Sequence, residues 1–432
     1  MNIGTICSDL IRIDTTNEGD NRGRGERAAA EYVATLLSDC GVEAQILESS
    51  KGRSNVVARV PGTGSGDPFL IHGHLDVVPA AAEDWAIHPF SGEIVDGVVW
   101  GRGAVDMKGT CAMTLAMVAD WARAGVRPDR DLVLAFTADE EATGEYGSYY
   151  LARQHPDLFT GVREAISEDG GYSVVHDGKR LYPVAVGEQG MAWMRLRARG
   201  IAQHGSLRAT DNAVAEICHA MSRLASHEWP LQLTPGVRSM LDGISAALGR
   251  PLDLTDLDAE AERLGKVGEL FKHVLRNSAN VTMLNAGYKV NVIPGSAEAQ
   301  VDGRFLPGSR DEFLTTIDKL LGPKITREFV CFEDAPEADP GGPTFDALCA
   351  SLIAEDPEAL PIPYVMSGGT DAKAFNELSI VTYGFAPLAL PADFDYNAMF
   401  HGINERVPVN ALEFGARVLD RFFRPSAHEG PS

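Results

Sequence analysis

The sequence predicts an α/β protein in which a layered domain with a mostly parallel central sheet is interrupted by a smaller α+β domain of ferredoxin-like type. In the first third of the chain, short apolar runs alternate with helical patterns, as they do in sheets covered by helices. Near residue 188 the pattern changes to alternating apolar and polar residues, which is typical of strands with one solvated face. After about residue 339 the first pattern returns.

Helix and strand signals follow one another in the first part of the chain. Residues 25–40 have helical periodicity. Residues 55–60, 68–72 and 131–137 are short apolar runs, which predict buried strands. Residues 107–124 are long, apolar and rich in Ala and Met, so they predict a core helix.

The middle of the chain has a β-α-β-β-α-β order, which predicts a separate small domain. Its predicted strands are 191–199, 281–284, 297–305 and 325–332, and its predicted helices are 212–226 and 311–321. We therefore predict one domain built from residues 1–187 and 339–432, interrupted by a second domain of residues 188–338. Residues 228–277 are predicted to be an insertion in the second domain, and residues 412–423 form a last helix.

Composition excludes several classes of partner. The formal charge of −23 argues against nucleic acid or an anionic membrane surface, because both attract clustered Lys and Arg. No apolar run approaches the roughly 20 residues that span a bilayer, and the start of the chain lacks a secretory signal pattern. The six cysteines lack CxxC spacing and suit reduced thiols. We expect a cytoplasmic protein without nucleic-acid or membrane partners.

Two chemically informative segments flank predicted elements. His74 and Asp76 lie two residues apart just beyond an apolar strand, so their side chains leave the same side of an extended backbone. His72 points to the opposite face, and we assign it a structural role. Asp106 lies in a Gly-rich loop before the helix at 107–124, where it could cap the helix or bridge two cations. Imidazole and carboxylate groups at the carboxyl end of a strand suit a zinc site.

Acidic tips follow two further strands. Asp139, Glu140 and Glu141 are consecutive, and such acids repel one another unless solvent or cations compensate. The segment is therefore either a solvated turn or a site where one Glu holds a metal and its neighbour accepts a proton from water. The other tip is the Glu168-Asp169 pair, which follows a short apolar run.

His401 lies in a loop ahead of the last helix. One loop histidine carries little information by itself. Here it completes a set of two histidines and several carboxylates, all at predicted strand ends or loops. Such nitrogen and oxygen ligands suit two Zn²⁺ ions, with Co²⁺ or Mn²⁺ as alternatives.

Taken in order, these segments resemble the M20 metallopeptidases. The resemblance rests on GHLDVVP at 73–79, Gly101-Arg-Gly103 with Asp106-Met-Lys-Gly109, Asp139-Glu-Glu141 and His401. The family includes carboxypeptidase G2-type enzymes, aminoacylase-1, acetylornithine deacetylase and succinyl-diaminopimelate desuccinylase. The resemblance extends over nearly the whole chain. It implies a catalytic domain with a dizinc site and an inserted lid domain through which the protein forms a homodimer.

The resemblance also implies roles for single residues, with Asp106 bridging the two metals. It gives His74, Asp106 and Asp169 as ligands of one metal, and Asp106, Glu141 and His401 as ligands of the other. Glu140 would be the general base, and Asp76 would orient His74. Family members often have Asp-Glu-Gly or Glu-Pro at the fourth motif. Alignment on the glycine selects Asp169, with Glu168 as the alternative.

The remaining site predictions come from the lid and from a Gly-rich loop. His204 resembles the lid histidine that stabilises the oxyanion, often across the dimer. Arg304 resembles an arginine that binds a substrate carboxylate, for which its planar fork is suited. Gly369 and Thr370 belong to a loop whose backbone N–H groups would help seat the substrate. For Asn280, a turn role and a substrate contact are equally open.

The expected function is hydrolysis of an amide bond next to a free carboxylate by two metals. An N-acyl-amino-acid deacylase is our first expectation, and a di- or carboxypeptidase using the same centre is the alternative. A metal-containing module that binds carboxylates without cleaving them is a remote third possibility, because the base Glu140 is present. The expected partner is a small substrate with a free carboxylate.

Overall fold

The computed structural model of the protein describes residues 2–19, 23–64 and 66–428. The strands are β1 (Ala44–Ser50), β2 (Arg53–Val60), β3 (Phe69–His74), β4 (Ile94–Val95), β5 (Val98–Trp100), β6 (Leu132–Thr137), β7 (Glu164–Ser167), β8 (Val174–His176), β9 (Lys179–Glu188), β10 (Gly190–Arg199), β11 (Gln203–His204), β12 (Ser278–Ala286), β13 (Val292–Ile293), β14 (Ser296–Phe305), β15 (Ile325–Glu333), β16 (Ala359–Met366), β17 (Val381–Gly384) and β18 (Arg406–Pro408). The helices are α1 (Ile3–Arg12), α2 (Arg27–Asp39), α3 (Lys108–Ala124), α4 (Ser148–Gln154), α5 (Ala213–Ala225), α6 (Pro235–Leu248), α7 (Leu257–Leu264), α8 (Lys266–Lys272), α9 (Arg310–Leu321), α10 (Pro343–Glu355), α11 (Ala372–Asn376), α12 (Val409–Phe423) and α13 (Pro425–His428).

The larger sheet is the layered α/β part that the sequence predicts. Its strand order is β1-β2-β6-β3-β7-β17-β9-β16, with β8 paired to β9. The central strands β6, β3, β7 and β17 run parallel. Every residue of β3 and β6 is buried, which explains why these strands are continuous apolar runs in the sequence. Helices α1, α3 and α12 pack together on the sheet and complete the main apolar core.

The smaller sheet has the order β12-β14-β10-β15 and is antiparallel throughout. Together with α5 and α9 it forms the predicted β-α-β-β-α-β arrangement, which is confirmed. Alternate residues of β10, such as Ala192 and Met194, face α5 and α9 in a separate apolar core. Met191 and Trp193 lie on the opposite, more exposed face of the same strand.

The segment 228–277, which the sequence assigned to the small domain as an insertion, packs elsewhere. Its helices α6 and α8 contact β16 of the large sheet, and their apolar side chains belong to the main core. In α6, Val237, Met240, Leu241 and Ile244 form one apolar face with helical spacing. Such a face needs an apolar partner, and the edge strand β16 supplies it.

The chain passes from the large sheet to the small one over a very short distance. β9 ends at Glu188 and β10 begins at Gly190. The domain boundaries themselves stay a prediction.

Within the described ranges, no helix combines the length and apolar character needed to cross a membrane.

Candidate metal centre

The carboxyl ends of three neighbouring strands carry the side chains that the sequence singled out. β3 ends at His74, β6 ends two residues before Asp139, and β7 ends directly before Glu168. Since β6, β3 and β7 are adjacent and parallel, their carboxyl ends meet at one edge of the sheet. This edge is where α/β sheets commonly bind ligands.

Two groups of potential metal ligands meet at Asp106. In the first, His74 Nε2 lies 3.0 Å from Asp106 Oδ1 and 3.3 Å from Glu168 Oε2. In the second, His401 Nε2 lies 3.1 Å from Asp106 Oδ2 and 3.0 Å from Glu141 Oε2. The ligand atoms within each group lie within 4.8 Å of one another. Asp106 therefore presents one oxygen to each group, as a bridging carboxylate would.

The loop that holds Asp106 is anchored by a residue that the sequence analysis missed. Asp106 does not cap α3, because the cap position is occupied by Met107, which makes no side-chain capping bond. Instead, the buried carboxylate of Glu405 accepts hydrogen bonds from the backbone N–H groups of Val105 (2.7 Å) and Asp106 (3.0 Å). Its other oxygen accepts one from Arg102 Nη1 at 2.7 Å. The available signal was proximity, since Glu405 follows His401 by four positions.

At the fourth motif, Glu168, the alternative ligand, lies beside His74 and Asp106, whereas the alignment on the glycine favoured Asp169. Glu168 lies in the group with His74 and Asp106, and Asp169 lies in neither group. Glu168 directly follows β7, and the left-handed backbone at Asp169 turns the next side chain in a different direction. Asp169 adopts a left-handed φ of 55°, is half-buried and lies outside both groups.

Asp76 orients the first histidine and also holds the acidic turn. His74 Nδ1 lies 3.0 Å from the Asp76 carbonyl oxygen and 3.5 Å from the Asp76 carboxylate. A proton on Nδ1 leaves Nε2 free as a ligand, which is the usual arrangement at metal-bound histidines. The carboxylate of Asp76 also accepts the backbone N–H groups of Glu140 (3.2 Å) and Glu141 (3.1 Å). One carboxylate thus links the ends of β3 and β6.

Glu140 stands outside both ligand groups although it lies beside them. Its Oε2 is 3.8 Å from His74 Nε2, and its side chain lines the adjoining cavity. Burial and the neighbouring carboxylate of Glu168 raise the pKa of Glu140 well above its usual range. A carboxylate with raised proton affinity that is not needed as a ligand can exchange a proton with a molecule in the cavity.

The charges of the centre suit divalent cations. Burial raises the pKa of Glu168 to about 8 and that of Glu141 to about 7. Hydrogen bonds to Asp106 and Glu141 raise the pKa of His401 to about 10. Burial opposes protonation of His74, but the surrounding carboxylates outweigh it and raise its pKa well above the usual value. Two imidazoles among crowded carboxylates are a donor set that zinc, cobalt or manganese can bind, so these residues fit a pair of divalent cations.

A cavity of about 280 Å³ adjoins the centre. Residues beside the large sheet and residues of the small sheet line it. Its lining includes Glu140, Glu141 and His401 from the centre, Gly369 and Thr370 from the Gly-rich loop, Tyr149 and Lys373 from α4 and α11, and Met191, Trp193, Arg304 and Glu333 from the small sheet. Arg304 is ion-paired with Asp302 at 2.8 Å. The structure therefore brings the predicted residues Arg304, Gly369 and Thr370 to the cavity.

Two predicted site residues, Asn280 and His204, do not line this cavity. Asn280 is exposed on β12, opposite Asp302 in the strand register, and does not line the cavity. His204 is exposed on β11, where its Nδ1 lies 2.8 Å from Ser206 Oγ. His204 belongs to neither ligand group.

His72 and the cysteines are separate from the two ligand groups. His72 is buried against Phe375, with ring centroids 4.7 Å apart, and burial lowers its pKa to about 3. This agrees with the structural role expected from its position on the opposite face of β3. No cysteine contributes to either ligand group within the described residues.

At the carboxyl edge of the parallel strands, two imidazole–carboxylate groups share Asp106, and Glu140 lies beside them outside both groups. This arrangement is that of a candidate metal-dependent hydrolase. A sequence profile of peptidase family M20/M25/M40 matches residues 70–424. The chain therefore belongs to the M20 peptidase family, and it is a hydrolytic enzyme of the peptidase and amidohydrolase type.

Several named proteins are similar in sequence. A probable carboxypeptidase S-like 2 of Dictyostelium discoideum is 27% identical over 79% of this chain and 68% of its own length. The N-fatty-acyl-amino acid synthase/hydrolase PM20D1 of Xenopus tropicalis is 26% identical over 93% of this chain and 81% of its own length. A succinyl-diaminopimelate desuccinylase of Cereibacter sphaeroides is 32% identical over 94% of each chain.

Solved structures share the fold. An M20 family metallo-carboxypeptidase of Sulfolobus solfataricus superposes with a TM-score of 0.72 at 18% identity, covering 98% of each chain. A protein of Bacillus subtilis described as a dinuclear metal binding peptidase of the M20 family gives a TM-score of 0.62 at 12% identity, covering 97% of this chain and 96% of that one. These likenesses confirm the predicted catalytic and lid architecture.

Proposed function

We propose that the protein is a dinuclear-metal hydrolase that cleaves the amide bond of N-acyl amino acids. The observation that carries this proposal is the pair of ligand groups sharing Asp106, with Glu140 left unused beside them and facing a cavity. One metal would be held by His74, Asp106 and Glu168, and the other by Asp106, Glu141 and His401. We expect zinc, with cobalt or manganese as substitutes.

Two cations bound there would supply Lewis acidity toward water and the amide carbonyl. Glu140 is the proposed general base: it accepts a proton from the attacking water and returns it to the leaving amine. Its raised pKa favours this role because the carboxylate holds the transferred proton more firmly than an exposed one would. Asp76 and His74 Nδ1 keep the imidazole oriented while this exchange occurs.

The cavity supports a substrate with one carboxylate and one apolar end. Arg304 supplies a guanidinium for the carboxylate. Asp302 accepts hydrogen bonds from its Nε and Nη2, which orients the group and leaves the Nη1 side for the substrate. Gly369 and Thr370 lie on the same cavity wall. Trp193, together with other apolar side chains of the cavity, gives contact area for an acyl group. A relative named as an N-fatty-acyl-amino acid synthase/hydrolase supports this class of substrate.

A di- or carboxypeptidase is the second candidate, since a relative is named as a probable carboxypeptidase. The same centre would serve, and the group attached to the scissile carbonyl would be an aminoacyl residue instead of a simple acyl chain. The third possibility, a module that binds carboxylates without cleaving them, is disfavoured because Glu140 is present beside the ligands.

The test is amine release from a panel of N-acyl amino acids and dipeptides by zinc- or cobalt-loaded protein. Each compound is paired with a twin whose carboxyl group is amidated. We expect cleavage of N-acyl amino acids with free carboxyl groups and little cleavage of their twins. Faster cleavage of the dipeptides would select the peptidase. If protein that holds two metals cleaves none of the compounds, both the deacylase and the peptidase proposals are refuted. The carboxylate-binding module is then the remaining candidate.

We also propose a homodimer through the lid, in which His204 reaches the partner's centre to stabilise the oxyanion. Support comes from the exposure of His204 and of large apolar residues near β12, with Leu284 50% and Tyr288 81% exposed. Co-expression of His204→Ala with Glu140→Gln would test this. If His204 acts across the dimer, mixed dimers contain one complete site and recover activity that neither variant has alone. No recovery in proven mixed dimers would assign His204 to its own chain or to no catalytic role.

The cellular location and the lack of nucleic-acid and membrane partners stay predictions. The net charge of −23 supports the predicted lack of nucleic-acid and membrane partners, because an acidic surface repels phosphate backbones and anionic lipids.

A further inference from the structure

A buried asparagine connects the two segments that carry the metal ligands. Asn17 is 3% exposed, and its Nδ2 donates hydrogen bonds to Asp76 Oδ2 at 2.9 Å and to Asp139 Oδ1 at 3.1 Å. Its backbone N–H donates to the carbonyl of Val77 at 2.9 Å, so the asparagine is fixed against the segment after β3. The side-chain amide therefore spans from the end of β3 to the turn that follows β6.

The orientation of this amide is set by a buried ion pair. Arg53 Nη2 donates to Asn17 Oδ1 at 2.9 Å, and Arg53 Nη1 donates to Glu26 Oε1 at 2.5 Å. Because a guanidinium only donates, it requires the carbonyl end of the amide to face it, and the NH₂ end then faces the two aspartates. Arg53 and Glu26 are 2% and 0% exposed, so solvent does not compete for these contacts.

Both acceptors of Asn17 lie next to residues of the centre. Asp76 contacts His74 and accepts the backbone N–H groups of Glu140 and Glu141. Asp139 begins the acidic turn with a left-handed φ of 65°, and its Oδ2 accepts the backbone N–H of Tyr146 at 3.2 Å. A shift of Asn17 would therefore change the spacing between the first histidine ligand and the glutamates of the turn.

We propose that Asn17 is a positioning residue that fixes Asp76 and Asp139 relative to each other, with Arg53 and Glu26 holding its amide in the required orientation. The proposal rests on the proposed metal centre. A polar cluster that only stabilises the core would contribute to folding without affecting the metals. Asn17 differs from that case because both of its amide protons go to carboxylates beside the ligands.

The test compares Asn17→Ala with Asn277→Ala in the full chain. Asn277 is also 3% exposed and also accepts hydrogen bonds, from Leu306 N and Ser309 Oγ, but it lies in neither ligand group. For each variant, metal affinity is measured by competition with a chelator, and the visible spectrum is recorded with Co²⁺. Thermal unfolding of the metal-depleted protein is measured in parallel.

Loss of a group bonded directly to a metal ligand typically costs about 10- to 100-fold in metal affinity, and Asn17 acts one contact further out. We therefore expect Asn17→Ala to bind metal about 10-fold more weakly and to change the Co²⁺ spectrum. Asn277→Ala should leave both unchanged, whatever its effect on unfolding. Metal affinity within about twofold of wild type and an unchanged spectrum for Asn17→Ala would overturn the proposal.

Arg53→Lys provides a second variant if Asn17→Ala does not fold. A lysine keeps the charge but lacks the planar fork that reaches Asn17 and Glu26 together. It should give the same spectral change to a smaller degree, and an unchanged spectrum would count against the proposal. Wild-type protein that binds no Co²⁺ would instead refute the metal centre itself, so the two failures are distinguishable.

Discussion

Replacing Glu405 by Gln tests whether one buried carboxylate holds the loop of the bridging aspartate. Glu405 is fully buried, and its Oε1 accepts the backbone N–H groups of Val105 and Asp106. Its Oε2 accepts the backbone N–H of Gly103 at 3.0 Å and Arg102 Nη1 at 2.7 Å. A carboxylate receives these four donors with two oxygens. A glutamine has one oxygen, and its NH₂ group must face two of the donors.

The cost can be worked out from these contacts. Two hydrogen bonds to a charged acceptor are lost, and each contributes about 1.5–3 kcal/mol. Arg102, 3% exposed, also loses its buried counter-charge, and breaking such a pair costs about 3–5 kcal/mol. The two figures describe partly the same contacts, so they do not add. Arg102 retains the His401 carbonyl at 3.2 Å and the Trp85 ring. We therefore expect Glu405→Gln to lower the free energy of unfolding by about 3 kcal/mol.

The assay is urea unfolding of metal-depleted protein, since bound metal would add its own stabilisation. Glu298→Gln is the matched control: Glu298 pairs with Arg195 and Arg197 on the exposed face of the small sheet. Its loss should cost less than about 1 kcal/mol. A comparably small loss for Glu405→Gln would refute the reasoning, because it would mean that other groups satisfy the donors of the Asp106 loop.

Four further outcomes are expected. Glu140→Gln should keep both metals and lose about 100- to 10,000-fold in kcat, and near-normal turnover would exclude it as the base. Protons compete with metals for His401, with its pKa of about 10, and Glu141, with its pKa of about 7. Metal affinity should therefore rise with pH across this range, and uptake at pH 7 should release protons, which calorimetry in buffers of different ionisation enthalpy detects. In metal-depleted protein the raised pKa of His401 stabilises the fold below about pH 6.5, and this contribution is lost as pH rises through 10. Tyr149→Phe removes a 2.9 Å hydrogen bond to Glu333 between α4 and the small sheet, so kcat/KM should fall about tenfold at unchanged metal content; an unchanged kcat/KM would show that this contact does not shape the cavity.

The layered fold and most of the centre could be predicted from the sequence because both depend on local signals. Buried parallel strands are continuous apolar runs in the sequence. Packing of the apolar core does not account for the acids that directly follow these strands, so the acids indicate a site. The order of His74, Asp106, Glu141 and His401 along the chain is therefore informative by itself. Their meeting at one sheet edge follows from strand order, which places β3 between β6 and β7.

Other features depend on contacts between distant segments and could not be predicted. Which of Glu168 and Asp169 lies beside His74 depends on the backbone at the end of β7, where the left-handed Asp169 follows Glu168. The helices of residues 228–277 have ordinary amphipathic patterns, and nothing in such a pattern says which of two sheets will bury it. Asn17 and Arg53 gave no signal because each is separated from its partners by tens of residues.

The two halves of the centre are stabilised in different ways, and this gives Glu405 its importance. His74 is 1% exposed at the end of a central strand, so the packing of the sheet fixes it. The side chain of His401 is 57% exposed in a loop with a left-handed φ of 55°, where packing constrains it little. That loop is held because Glu405 binds the loop of Asp106, while Arg102 binds both Glu405 and the His401 carbonyl. Loss of Glu405 should therefore disturb both groups through Asp106, and it should weaken the His401 group more, because only His401 also depends on Arg102.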